Sequence, residues 1–273
     1  VQSSILVGFL VGFGSLVVSI LIESHFNFSA VTAFFNFSAM LIIFGGISGA
    51  IIVSYPVAHL KEIPVALKKS FAKFSDIEMV AMANELITLA QKSRQEGILA
   101  LEAVLTDIKD DWMRRSLQLV VDGLDRKVVQ DILEVELEEY SKKTRIGSKI
   151  FTALGGYSPT LGIIGTVMGL VHMLATLEDA SKIGAAIAVA FLATFWGILS
   201  ANLVFLPIAE RTKAKDNQMI ACRQAMIEGI LSIQAGESVR IIEEKLKVFM
   251  IKDEIESFDT IRKSSGSGRS ETQ

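Results

Sequence analysis

"GGYSPTLGIIGTVMGLVHML", residues 155–174, decides how the chain is read. It is apolar enough for lipid, yet Tyr157, Ser158 and Pro159 stand near its start, with three glycines and two threonines further on. A proline removes one helical N–H and displaces the carbonyl four residues back, here Gly155. In lipid such a carbonyl is tolerated only where it lines a cavity or meets another part of the protein. The stretch therefore predicts a membrane helix that faces protein and carries a polar strip.

Outward from it, the chain of 273 residues is 51% hydrophobic and 21% charged, with mean hydropathy +0.46. That combination requires the charge to be segregated from the apolar stretches. Four stretches are long, apolar and nearly uncharged: about 3–22, 31–58, 150–174 and 184–209. Each reaches the roughly 20 residues that a helix needs to cross the hydrocarbon core. The first lacks the basic flank and cleavage site of a signal peptide and is read as retained.

Lysine and arginine set the orientation. Residues 59–147 hold 14 of them and 210–273 hold 11, whereas 23–30 hold none and 175–183 only Lys182. The positive-inside rule places both basic regions, and both termini, in the cytoplasm. Residues 59–148 read as several amphipathic helices, with Met79, Met82, Leu86 and Leu89, then Leu99, Val104 and Ile108, on apolar faces. Further along, Leu117, Val120 and Leu124, then Val128, Ile132, Val135 and Leu137, continue the pattern. Ser75, Asp76 and Glu78 suit a helix start, Gly97 and Gly123 mark breaks, and Gly236 marks a turn. The expected organisation is transmembrane helices 1 and 2 over 1–58, a cytoplasmic helical domain over 59–148, and transmembrane helices 3 and 4 over 149–209. A cytoplasmic helical tail over 210–263 and a disordered stretch over 264–273 complete it. The fold class is an all-α membrane protein.

The composition argues against several function classes. Net charge −3 and pI ≈ 5.7 do not fit a nucleic-acid binder. Cys222 is the only cysteine, so no internal disulfide forms, and no metal-ligand spacing occurs. No nucleophile–base set points to an enzyme or to a cofactor. "GFGSLVVS", residues 12–19, lies inside span one and reads as packing rather than a phosphate loop. Small residues at four-residue spacing, Gly8/Gly12, Gly45/Gly49, Gly165/Gly169 and Ala186/Ala190/Thr194, predict close helix packing.

A cation path usually needs an intramembrane carboxylate, and none of the four stretches has one. His172 is the titratable residue of span three, near its outer end. Pro159 and Thr166 share a face of span three, and Thr194 of span four falls within about 10 Å of the same depth as Thr166. A bent polar strip lacking its own acid implies a second protein that supplies one.

"YSPTLGIIGTVMGLVHML" and "IAVAFLATFWGILSANLVFLPIAE" (187–210) resemble spans three and four of the MotA/PomA flagellar stator subunits, within the MotA/TolQ/ExbB superfamily. "KSRQEGILALE" (92–102) resembles their rotor-contacting segment. The resemblance implies a bacterial inner-membrane protein, a homopentamer around a dimer of a MotB-like single-span, peptidoglycan-binding partner whose aspartate carries the ion. Cation flow, H+ or Na+, would drive rotation and torque on the rotor's switch-complex protein. By motif, Pro159 and Pro207 match the coupling prolines, and Pro159, Thr166 and Thr194 the ion pathway. Lys92, Arg94 and Glu102 match the rotor contact. Arg94 and Glu102 are eight residues apart, about 80° around one helix, so one face would carry both. Thr166 follows the sodium-type pattern and Ala193 the proton-type, and the pair is read as favouring a proton over sodium. The alternatives are an ExbB/TolQ-type motor energising the outer membrane, against which the even span count and "KSRQEGILALE" speak, and a passive membrane scaffold.

Overall fold

A computed structural model describes residues 3–72, 76–178 and 180–267. The described residues form helices and no strand. In chain order the first helices are α1 (Ser3–Glu23), α2 (Phe28–Ala33), α3 (Phe37–Met40) and α4 (Gly46–Ser54). Then come α5 (Val57–Leu60), α6 (Glu62–Phe71), α7 (Asp76–Glu96), α8 (Asp111–Val121) and α9 (Arg126–Thr144). The last are α10 (Ile146–Ala175), α11 (Ala180–Ser200), α12 (Leu206–Gln234), α13 (Val239–Lys247) and α14 (Lys252–Ser267). Wide π-type turns join α3 to α4 (Leu41–Gly45) and α11 to α12 (Ala201–Phe205), and a 3-10 segment covers Ile98–Asp107.

Four helical stretches are long and apolar enough to cross a membrane: Ser4–Glu23, Phe37–Ser54, and the apolar parts of Arg126–Ala175 and Ile183–Gln234. The second is shorter than the expected 31–58. It ends at Tyr55, which is extended (ψ 138°) ahead of Pro56, as the proline ring demands of its predecessor. Its start is set by Asn36, whose side chain accepts from Ala39 N–H at 3.0 Å.

The chain divides into two compact units, Val1–Lys73 with Arg145–Lys215, and Phe74–Thr144 with Asp216–Gln273. The first holds all four spans. Its core joins Ile43, Ile47 and Ile51 to Ile150, and Phe151 to Ala66, Ile208 and Ala209. The end of α5, α6 and the start of α10, read from hydropathy as part of a domain over 59–148, pack with the spans. A Cβ at Gly147 would stand 2.5 Å from that of Ala66. The Trp196 indole N–H donates to the Phe34 carbonyl at 2.7 Å, which ties the end of α2 to α11.

The second unit is a helical bundle around Leu86, Leu101, Met113, Leu117, Leu133, Ile230, Leu246 and Phe258, each at most 1% exposed. Gly229 brings α12 against Leu86, whose Cδ1 lies 2.7 Å from where a Cβ would be. Arg223 lies over the rings of Trp112 and Tyr140 at 5.0 and 4.1 Å. Gly97, Gly123 and Gly236 adopt φ of +90°, +76° and +66°, where a side chain would strain the backbone, and each stops a helix as expected. Ser75 lies outside the described residues, although α7 begins at Asp76. The stretch read as disordered from Ser264 overlaps the last turn of α14, and 268–273 lie outside the described residues.

Two apolar faces differ from expectation. Leu99 is 69% exposed, because its segment winds as a 3-10 helix that turns Leu101 and Leu105 inward instead. In α9 the buried pair is Val129 and Leu133, while Val128 and Val135 are exposed.

Candidate functional site

The site lies where α10 and α11 run against each other. Gly162, Gly165 and Gly169 are buried on α10, facing Ala186, Ala190, Ala193 and Gly197 of α11. A Cβ at Gly197 would stand 2.7 Å from the Ser158 carbonyl oxygen and 3.1 Å from the Gly162 Cα. At Gly165 it would be 2.5 Å from the Ala193 Cβ, and at Gly169 2.7 Å from that of Ala190. Small side chains thus let two backbones touch, which in lipid is the main source of helix association.

That approach creates a cluster of oxygens. Thr166 Oγ1 reaches the Gly162 carbonyl at 3.1 Å and the Ala190 carbonyl at 3.2 Å. Thr194 Oγ1 reaches the same Gly162 carbonyl at 3.3 Å and hydrogen-bonds Thr166 Oγ1 directly. Two hydroxyl protons thus serve two carbonyls and each other, so the hydroxyls can donate in more than one direction. Both threonines are half-buried, which leaves the cluster reachable from one side.

The other polar groups of the opening stretch satisfy themselves. Ser158, fully buried, donates to the Leu154 carbonyl at 2.6 Å, and Thr160 to that of Tyr157 at 2.8 Å. Such back-bonding lets hydroxyls sit in a membrane helix at little cost. Tyr157 Oη pairs with Ser54 Oγ at 3.2 Å. Pro159 is inside α10, less than one turn before Gly162. It supplies no N–H to Gly155, itself pressed against Leu206, whose Cδ2 lies 2.5 Å from where a Cβ would stand.

Thr166 and Thr194 come together as the depth argument expected, and Pro159 shares the helix of Thr166. Pro207 does not join them. It is exposed near the start of α12, just after the wide turn Ala201–Phe205. Ala193, next to Thr194 in sequence, is fully buried with its methyl against Gly165. His172 lies on α10 beside a cavity of about 450 Å³ with Ser38, Ile42 and Met168. Among the described residues no group of three acidic, histidine or cysteine side chains could hold a metal ion.

Lys92 and Arg94 lie in the last turns of α7, and Glu102 in the 3-10 segment. The chain breaks between them at Gly97, so they do not share one helical face as the spacing suggested. Arg94 and Glu102 are exposed, Lys92 half-buried. Sequence reasoning missed the Gly162 carbonyl, the Gly197 approach and the two wide turns. The clustered glycines and alanines of spans three and four were the available signal.

The profile of the MotA/TolQ/ExbB proton channel family matches residues 105–225. Motility protein A of Bacillus subtilis is 33% identical over 90% of this chain and 89% of its own length. Motility protein A of Borreliella burgdorferi is 34% identical over 90% of this chain and 92% of its own. The solved structure of the flagellar MotAB stator complex from Bacillus subtilis contains a chain that superposes with a TM-score of 0.80 at 31% identity. It covers 93% of this chain and 98% of that one.

Proposed function

The chain belongs to the motility protein A branch of the MotA/TolQ/ExbB proton channel family, and on that footing we propose that it is a flagellar motor stator subunit. It works as a multi-pass protein of the bacterial inner membrane with both termini in the cytoplasm. Five copies surround a dimer of a MotB-like, peptidoglycan-bound partner, and inward cation flow turns the ring against the rotor. The observation that carries the reading is the oxygen cluster of Thr166, Thr194 and the Gly162 carbonyl on facing spans that carry no carboxylate of their own. Such a cluster can replace part of an ion's hydration or steady a protonated acid, but it cannot bind and release a proton at neutral pH. A partner aspartate completes it.

Pro159, Thr166 and Thr194 form the ion pathway, and Pro159 and Pro207 couple ion passage to movement. Lys92, Arg94 and Glu102 meet the rotor's switch-complex protein. The ion is a proton rather than sodium: Ala193 turns its methyl into the helix seam and adds no ligand. The test is co-expression. Proton uptake into cells should require both this chain and the partner with its periplasmic plug removed. Robust flux from this chain alone would refute the proposal.

A further inference from the structure

We infer that the groove between α1, α6 and the start of α12 binds one anionic phospholipid, its acyl chain among the phenylalanines and its phosphate at Arg211. The groove has a volume of about 320 Å³. Its walls are apolar, chiefly Ile5, Phe9, Phe13, Phe71, Leu203 and Ile208. Phe9 stacks on Phe13 and Phe71, with centroids 6.1 and 6.5 Å apart. α1 is the least embedded span, with none of its apolar window buried. Gly12 touches Leu203, whose Cδ2 is 3.3 Å from a Cβ built there, but one turn earlier a Cβ on Gly8 meets nothing within 4 Å. The helix therefore stands off the protein at Gly8. An unfilled apolar gap forfeits the dispersion contacts of its lining, and the apolar material at hand in the membrane is lipid.

The polar end of the groove selects the headgroup. Arg211 lies four residues after Pro207 on the same face of α12, and its Nε donates to the Ser70 carbonyl at 2.7 Å. That bond fixes the guanidinium plane at the mouth of the groove, where its fork matches a phosphate. Lys68, Lys69, Arg211 and Lys213 stand on the end of α6 and the start of α12, with Glu210 3.7 Å from Lys213, while Lys215 is buried on the Ala72 carbonyl next to Asp216. α6 also exposes Val65 and Leu67 beside its lysines, the pattern of a helix lying at a membrane surface. Basic pockets between spans at the cytoplasmic face take anionic headgroups. The inference depends on the membrane location of the chain and not on the ion pathway proposed above.

The test uses the full chain purified with its co-expressed partner and exchanged into an equal mixture of phosphatidylglycerol and phosphatidylcholine. Native mass spectrometry then counts the lipids retained per copy. Retention of one phosphatidylglycerol per copy, over phosphatidylcholine, is expected. Gly8→Leu, which has room for its side chain, should fill the groove and abolish retention while the assembly keeps its mass. Arg211→Gln should weaken the preference for phosphatidylglycerol about fivefold, the weight of one cation at an anionic surface, and Arg211→Lys should restore most of it. Equal retention of the two lipids by the original chain would overturn the inference. So would undiminished retention in Gly8→Leu, or a Gly8→Leu assembly that loses copies with its lipid count unchanged, which would mark the groove as a contact between copies.

Discussion

Thr166 and Thr194, on different helices, hydrogen-bond each other and share the Gly162 carbonyl as acceptor, at 3.1 and 3.3 Å. Neither hydroxyl is tied to one partner, so each can turn as the proposed ion pathway requires, toward the ion or the acid that carries it. Thr194→Ala removes one arm of this arrangement. A missing hydrogen bond in a low-dielectric site costs about 1–3 kcal/mol, and torque should fall while assembly persists. Swimming speed under load, with the purified assembly's mass as control, measures both. Unchanged speed would remove Thr194 from the pathway.

Thr166→Ala separates the two ions. Thr166 also reaches the Ala190 carbonyl at 3.2 Å, so its loss takes an oxygen from any metal coordination shell. With protons as the driving ion, any loss of speed should match that of Thr194→Ala, which breaks the same bond, and should not depend on sodium. With sodium, the concentration for half-maximal speed should rise. Speed measured against sodium at fixed proton-motive force decides, and a steep dependence in the original chain would reverse the assignment to protons.

The helix seam should be intolerant where the backbones touch and tolerant elsewhere. Gly197→Ala puts a methyl 2.7 Å from the Ser158 carbonyl, with no flexible side chain to yield. Overpacking of this kind costs about 1–3 kcal/mol, so the amount of assembled complex in the membrane should drop. Gly49→Ala, where nothing lies within 4 Å, should leave it unchanged. Equal yields from the two variants would contradict the seam.

How much of this could be read in the sequence depended on the kind of signal. The spans, the glycine breaks and the meeting of Thr166 with Thr194 follow from hydropathy, backbone freedom and rise per residue. Register was less accessible. Gly45 and Gly49 have the spacing of a packing pair, yet Gly46 packs, with Leu161 Cδ2 at 3.0 Å from its built Cβ. The wide turn at Leu41–Gly45 shifts the following residues, each residue being worth about 100° of rotation. Nothing in an all-apolar run marks such a turn. Leu99 failed for a related reason: a 3-10 winding changes the period on which the apolar face was counted.

Acid should weaken the second unit through one lysine. Lys245 Nζ stands 2.8 Å from carboxylates of both Glu228 and Glu237 and 3.1 Å from Ser232 Oγ. The hydrogen bond from Lys245 holds Glu237 below the usual carboxylate range, and those from Glu228 and Glu237 hold Lys245 above the usual lysine value. A carboxylate with a lowered folded pKa stabilises above its unfolded value, near 4.5, and the gain is lost as pH falls through the folded one. Lys245, with a raised pKa, contributes below its unfolded value and loses that as pH rises through the folded one. Lys245→Met should therefore lower the melting temperature at neutral pH, with a gap from the original chain that closes toward pH 3. A gap that stayed constant across that range would rule out the ionic origin.

The proposed rotor contact can be tested through backbone geometry as well as charge. Arg94 closes α7 and Glu102 lies in the following 3-10 segment, so Gly97, at φ +90°, sets how the two are presented. Among the described residues neither makes an ion pair, which leaves both charges available to a partner. Arg94→Glu should impair swimming with normal membrane levels, and a reversed charge on the rotor protein should restore part of it, since rim charges mainly steer and register a transient contact. Gly97→Ala keeps both charges but burdens the left-handed backbone by about 1–3 kcal/mol, which favours a rearranged segment and a displaced Glu102. It should reduce swimming without changing proton uptake through the unplugged complex, because the proposed ion path lies in the other unit. Loss of uptake in Gly97→Ala, or full motility in both variants, would show that this segment does not carry the rotor contact.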